Sequence, residues 1–202
     1  EEAESCYRLA LQGMQEVFTE DHPETAVLLS MLGGLLEDSG RYDEAKHYFN
    51  RYFAWCEEQY GEGDRRTLSA LANLGTLIRK KDGIHRAEAY YRDALEKRLR
   101  HLGPDDEDTL NSYANMGYLM RKKSSFEESR LNYEIALEGR RKILGLDASK
   151  TLKTIGDMGY LYERWHEAEP EKGYDAKAAE YRALHEELSG ATPAEPTEAA
   201  AP

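Results

Sequence analysis

One step of 42 residues runs through the chain and constrains its fold more than any other feature. Thr25, Thr67, Thr109 and Thr151 are separated by it, as are Gly33, Gly75, Gly117 and Gly159, and also Gly61, Gly103 and Gly145. A fixed period of this size marks stacked units, each contacting only its neighbours. Within one period the apolar residues recur at intervals of 3 and 4, the helical spacing. Leu68, Leu71, Leu74 and Ile78 make one stripe; Ile84, Ala87, Tyr91, Ala94 and Leu95 make the next. Gly103-Pro104 then stops the second helix. The period therefore predicts an all-α array of helix hairpins, with the stretch from Thr67 to Asp105 as its most complete unit.

The same offsets divide the rest of the chain. Residues 1–20 match a second helix, since Ala3 is in phase with Ala45 and Ala87, and Tyr7 with Phe49, Tyr91 and Tyr133. The chain thus reads as a fragment of a longer or processed protein with its preceding first helix missing. Unit one spans 21–63, with Asp21 as helix N-cap and Pro23 in the first turn. Units two and three span 64–105 and 106–147. Unit four, 148–189, carries an insertion near 167–173: the aromatic expected at 168 appears at Tyr174, and Lys177 takes the place of Ala45, Ala87 and Ser129. Its last helix is rich in Glu, Arg and Lys and reads as a C-terminal cap. Residues 190–202, built from Ala, Pro, Glu and Thr, read as a disordered tail.

Composition narrows the function. A net charge of −12 argues against nucleic acid as a partner, because phosphate binding needs a basic face. No apolar run is long enough for direct membrane insertion, and no secretory signal opens the sequence. Cys6 and Cys56 sit in apolar helical settings and are expected to be buried, reduced thiols, in keeping with an intracellular, cytoplasmic protein. The six histidines have no carboxylate or Cys partner at ligand spacing, and Gly33-Gly34 lacks the Lys-Ser/Thr of a phosphate loop. No enzyme activity and no cofactor are expected.

The residues in phase resemble the tetratricopeptide repeat family. Unit one supplies Leu32-Gly33, Leu36, Gly40, Tyr42, Ala45 and Phe49; unit two supplies Leu74-Gly75, Ile78, Ile84, Ala87, Tyr91 and Ala94, with Asp82 where Gly is usual. Unit three supplies Met116-Gly117, Met120, Phe126, Tyr133 and Ala136, with Ser129 for Ala. The long period, the "DTL" opening and the "ANLG" run are similar to the kinesin light chain subtype. The resemblance implies a right-handed α-solenoid of tetratricopeptide hairpins, a superhelix whose first helices line a concave groove. It also implies close approach of the two helices at the mid-helix glycines, with Ala87 facing Gly75.

In that subtype asparagines on the first helices hold the backbone of an extended peptide, a role that carries over to Asn73 and Asn115. Asp157 stands at the same offset and can only accept while ionised; Met31, also in phase, can do neither. Asn111, Tyr118 and Tyr160 are expected on the same face, the two tyrosines sharing their offset with Thr76. Arg79-Lys80-Lys81 and Arg121-Lys122-Lys123, again 42 apart, either complement two helix dipoles or form a basic patch for an acidic guest. The Lys/Asn pairs of a chaperone-tail clamp are absent: those sites hold Ser30/Gly34, Ala72/Thr76, Ala114/Tyr118 and Gly156/Tyr160. The function expected is a protein–protein interaction scaffold or adaptor that binds an extended, acidic peptide in its groove. Two other readings stand beside it: a structural subunit meeting partners through convex or terminal faces, and a regulatory arm of a larger enzyme or NTPase.

Overall fold

The computed structural model describes residues 2–17 and 22–190, and among these there are nine α-helices and no strand. The helices are α1 (Glu2–Val17), α2 (Pro23–Asp38), α3 (Tyr42–Tyr60), α4 (Arg65–Asp82), α5 (Ile84–His101), α6 (Glu107–Lys122), α7 (Phe126–Leu144), α8 (Ser149–Ala168) and α9 (Tyr174–Ser189). The chain divides into two compact units, Glu1–His101 and Leu102–Pro202. In the first, α1 packs on α2, α2 on α3, α3 on α4 and α4 on α5; in the second, α6 packs on α7, α7 on α8 and α8 on α9.

Local chemistry sets the helix ends. Asp64 and Asp106 cap α4 and α6, each carboxylate accepting from the amide two residues on, Arg66 N and Asp108 N, at 2.9 Å. At α2 the described cap is His22, whose Nδ1 accepts from Glu24 N, with Pro23 at the first position; Asp21 lies outside the described residues. The tight turns need a left-handed residue, which Gly40 (φ 73°) and Ser124 (φ 59°) supply at the same repeat offset. In the second hairpin the Asp82 that stands at that offset stays helical, and Gly83 (φ 86°) turns the chain one residue later. The tail expected beyond Gly190 lies outside the described residues.

The mid-helix glycines make room for rings. A Cβ on Gly33 would lie 2.9 Å from the Phe49 ring, and one on Gly117 would lie 2.8 Å from the Tyr133 ring. Over Gly75 the nearest atoms belong to Tyr90 and Tyr91, at 3.2 and 3.6 Å, rather than to Ala87, which is itself fully buried. Ser129, standing where the other hairpins have alanine, donates from its hydroxyl to the Gly117 carbonyl at 2.7 Å and so remains satisfied in the core. Two glycine variants are expected to move in opposite directions. Gly117→Ala has no space and should destabilise by about 1–3 kcal/mol, because the fully buried Tyr133 cannot retreat. Gly159→Ala meets Tyr181 only at 3.5 Å, ordinary contact, and should stabilise by up to about 1 kcal/mol through helix propensity. Urea unfolding of the two variants checks the pair.

The core of the first unit is formed by Leu11, Leu29, Leu32, Leu36, Phe49, Leu74 and Leu77, with Trp55 and Cys56 under Ala26. Tyr133, Met158, Leu161, Tyr162, Trp165 and Ala178 form a core cluster in the second. Two expectations change here. Cys56 is buried, but Cys6 is exposed, on a helix whose one buried residue among those described is Leu11. The insertion is taken up by α8 continuing to Ala168, followed by a single 3-10 turn at Pro170–Lys172 and left-handed Gly173. Helix α9 then enters rotated, so that Ala178 is buried and Lys177 is exposed and paired with Glu180.

Candidate functional site

The expected site residues fall in two groups, one in each unit. In the first unit Asn73 is exposed on α4. Met31, at the same offset on α2, is 44% exposed, and Val27 one turn earlier is 51% exposed, so this neighbouring face is apolar. Thr76 is buried: its hydroxyl donates to the Ala72 carbonyl at 3.2 Å and lies 3.3 Å from the Tyr91 hydroxyl. That hydroxyl is engaged inside its own hairpin, which removes Thr76 from the face. Lys80 pairs with Glu37 at 2.8 Å, Lys81 pairs with Asp43, and Arg79 is half-buried. Such pairs add little stability near the surface. They do offset two charges of the first basic triplet with carboxylates from the preceding hairpin.

The second unit gathers more of the expected residues. The Arg121 guanidinium is buried, 4.3 Å from the Tyr160 ring centroid and 5.4 Å from that of Tyr118. Lys122 Nζ lies 5.8 Å from the Tyr118 ring. Cation–π contacts of this kind join α6 to α8 through Arg121 and Tyr160. Asp157 sits among Arg121, Lys153 and Arg140; burial nevertheless raises its pKa, outweighing the three cations. Tyr133, fully buried, has its hydroxyl pushed well above the ordinary tyrosine range, first by burial and then by the Asp157 charge. Asn115 is half-buried on α6.

Arg140, absent from the residues expected at the site, organises this region. It reaches from α7, 5% exposed, and donates to Asn111 Oδ1 at 2.6 Å, to Thr154 Oγ1 at 2.5 Å and to the Lys150 carbonyl at 3.2 Å. Burial lowers its pKa, partly offset by Asp157 and Glu107. Asn111 is therefore engaged by an arginine of its own hairpin, so its amide oxygen serves helix packing. The sequence does carry a signal for it: Arg98 and Arg140 are 42 apart, both 5% exposed, at the offset of fully buried Cys56. A charge at a core offset must find partners on neighbouring helices.

A cleft of about 280 Å³ at the α6–α7 turn is lined by Ser124, Phe126, Glu128, Trp165 and Glu169 among others. Of its carboxylates, Glu127 pairs with Arg130 and Glu169 with Lys172, each at 2.6 Å, which leaves little in the cleft to attract a charged ligand. Among the described residues no group of three or more His, Cys, Asp or Glu is placed to hold a metal ion, and no helix is long and apolar enough to cross a membrane.

The raised pKa of Asp157 carries a pH prediction. The folded state holds this proton to higher pH than the unfolded chain does. Its contribution to stability therefore falls as pH rises from the ordinary aspartate range through the raised value. Asp157→Asn should remove that fall and raise the melting temperature at neutral pH, which thermal melts across the acid-to-neutral range would read.

Comparison with known proteins agrees with these hairpins. The family model for the tetratricopeptide repeat matches residues 1–58, 34–100 and 66–142. The human protein "Tetratricopeptide repeat protein 19, mitochondrial" is 44% identical over 50 residues, covering 25% of this chain, and the match spans only 13% of that relative's length. Among solved structures, BtubC (BKLC) from P. vanneervenii has a TM-score of 0.71 at 24% identity, covering 98% of this chain and 78% of the other. A Podosopora anserina putative kinesin light chain with nearly identical TPR-like repeats has a TM-score of 0.73 at 13% identity, covering 93% and 85%. A point variant of that Podosopora anserina protein reaches 0.75 at 12% identity, covering 94% and 88%. These likenesses show the fold, an α-solenoid of helix hairpins similar to kinesin light chain-like repeats. The family model spans well over half of the sequence, and the chain belongs to the tetratricopeptide repeat family.

Proposed function

We propose that the chain is a protein–protein interaction scaffold that holds an extended, acidic segment of a partner on its first-helix faces, the second unit providing the anchor. The carrying observation is the positive charge gathered within that unit, part of it buried behind its first helices. Arg121, Arg140 and Lys153 surround one carboxylate, Asp157, with Lys122 close by on the Tyr118 ring, in a chain of net charge −12. A local positive field in an acidic protein steers an acidic segment toward it. The rings of Tyr118 and Tyr160 offer the segment flat apolar surface. Asn115 and Asn73 are the amides that can donate to and accept from a peptide backbone, the mode in which main-chain bonds give affinity and a few side chains give specificity.

A second reading has its own support. Leu131 and Ile135, one turn apart on α7, are 47% and 44% exposed. They favour a structural subunit that meets a larger assembly through second-helix surfaces. A photo-crosslinking residue placed singly at Asn73, Asn115 or Leu131 separates the two. Adducts with a partner at Asn115 and Asn73, and none at Leu131, are expected; trapping at Leu131 alone would reverse the assignment.

A further inference from the structure

Asp157 stands on α8 at the repeat offset of Asn73 and Asn115, and of these three side chains it alone can change charge. Its neighbours fix its surroundings. Thr154 and Tyr160, three residues to either side on the same stretch of helix surface, are each met by an arginine of another helix. Arg140 of α7 donates to Thr154 Oγ1, and the Arg121 guanidinium of α6 lies 4.3 Å from the Tyr160 ring centroid. Lys153, one turn back on α8 itself, is exposed. From α7 the fully buried Tyr133 hydroxyl also lies within the field of the Asp157 charge. From α9 the His185 ring stands over the adjacent Gly156, 3.5 Å from a Cβ built there.

The two arginines are committed elsewhere. The Arg140 guanidinium serves Asn111, Thr154 and the Lys150 carbonyl, and that of Arg121 lies on the Tyr160 ring. Both act on Asp157 through their charge rather than through a hydrogen bond. Enclosure by α6 and α7 therefore disfavours the ionised carboxylate more than the cations support it. The residue is still only half-buried, so its carboxyl group can meet a ligand at the surface.

We infer that Asp157 holds the backbone of the bound segment as a neutral carboxylic acid, so that the second unit takes up a proton together with its guest. The inference rests on the reading that the first-helix faces hold an acidic segment. A neutral carboxyl group offers one donor and one acceptor, as the Asn115 amide does; an ionised carboxylate offers acceptors alone. The ionised form takes a peptide N–H but repels the peptide carbonyl and every acidic side chain of the guest. Protonation restores the donor, removes that repulsion and leaves the field of Arg121, Arg140 and Lys153 without an internal counter-charge. Each change favours the guest. The proton comes from solvent, forms one O–H bond at Asp157 and returns to solvent when the segment leaves. By linkage the guest tightens the proton and the proton tightens the guest.

The probe is a labelled, capped peptide of alternating cysteic acid and alanine, whose sulfonates stay charged throughout, so that the protein alone titrates. Its affinity for the full chain is read by fluorescence anisotropy from about pH 5 to about pH 8, above the ordinary aspartate range. For the native chain the affinity should fall as pH rises, by up to about tenfold per unit beyond the raised pKa of free Asp157. Asp157→Asn keeps a donor and an acceptor at every pH. It should bind at neutral pH as tightly as the native chain does at the acid end. Calorimetry in buffers of different ionisation heat should show uptake of about one proton by the native chain at neutral pH and none by Asp157→Asn. Titration of His185 and the other histidines is common to both chains and cancels between them. Equal pH profiles for the two chains, or weaker binding by Asp157→Asn at neutral pH, overturn the inference and leave the segment-holding reading in place. No binding by either chain at any pH removes both.

Discussion

Arg140→Ala is expected to lower the unfolding free energy of the second unit by about 3 kcal/mol, since each buried acceptor left without its donor costs about 1–3 kcal/mol. The guanidinium is almost fully buried and satisfies Asn111, Thr154 and the Lys150 carbonyl at once. It also stands near Asp157, whose charged form burial already disfavours and the Arg140 cation helps to support. Removing it leaves three acceptors and a carboxylate to find other partners across the α6–α7–α8 packing. Arg140→Lys should rescue little, because a single ammonium cannot fork between Asn111 on one helix and Thr154 on another. Urea unfolding followed by Trp165 fluorescence, in a Trp55→Phe background so that the second unit alone is reported, measures both variants. A loss below about 1 kcal/mol for Arg140→Ala would place the network among surface polar contacts instead.

Trp165→Ala is expected to cost about 3–5 kcal/mol, the range for truncating a buried large aromatic. Trp165 is 7% exposed and stacks on Tyr174 at 4.2 Å, on Phe126 at 5.8 Å and on Tyr162 at 6.0 Å. Its indole N–H donates to Glu169 Oε1 at 3.2 Å, which fixes the start of the turn into α9. Beyond that stack α9 has one buried residue among those described, Ala178, and a partly exposed ion pair from Arg182 to Glu163 at 2.8 Å, while Tyr174 and Tyr181 lean on the same rings. Loss of the indole should therefore free α9 first. Hydrogen exchange should show amides 174–189 losing protection by a larger factor than those of α6 and α7. Uniform loss across the unit would mean that α9 and the rest open as one body.

The 42-residue step makes the helices legible because it reports each residue's place within a hairpin. It places Phe49, Tyr91 and Tyr133 against the mid-helix glycines and all three in the interior. The step does not report what stands across from a residue on the next helix. For that reason the partners of Lys80 and Lys81, which are Glu37 and Asp43 of the preceding hairpin, are invisible to it, and the first basic triplet reads as an open patch. Asn111 escapes it for the same reason, since its partner Arg140 lies 29 residues on. Counting forward from Tyr174 puts Lys177 in the core. The turn at Gly173 rotates α9 by one residue, and Ala178 takes the buried position instead. Exposure of Cys6 depends on which elements stand against α1, which no property of its own helix encodes.

The proposal that the first-helix faces hold a peptide backbone is tested most directly by removing the two amides that can grip one. The partner segment recovered by crosslinking at Asn115 is titrated, by fluorescence anisotropy, against the native chain and against the Asn73→Ala/Asn115→Ala double variant. With each amide contributing a net of about 1 kcal/mol, affinity should fall about thirtyfold while helix content and urea midpoint stay close to native. An unchanged affinity in a folded double variant would contradict the account.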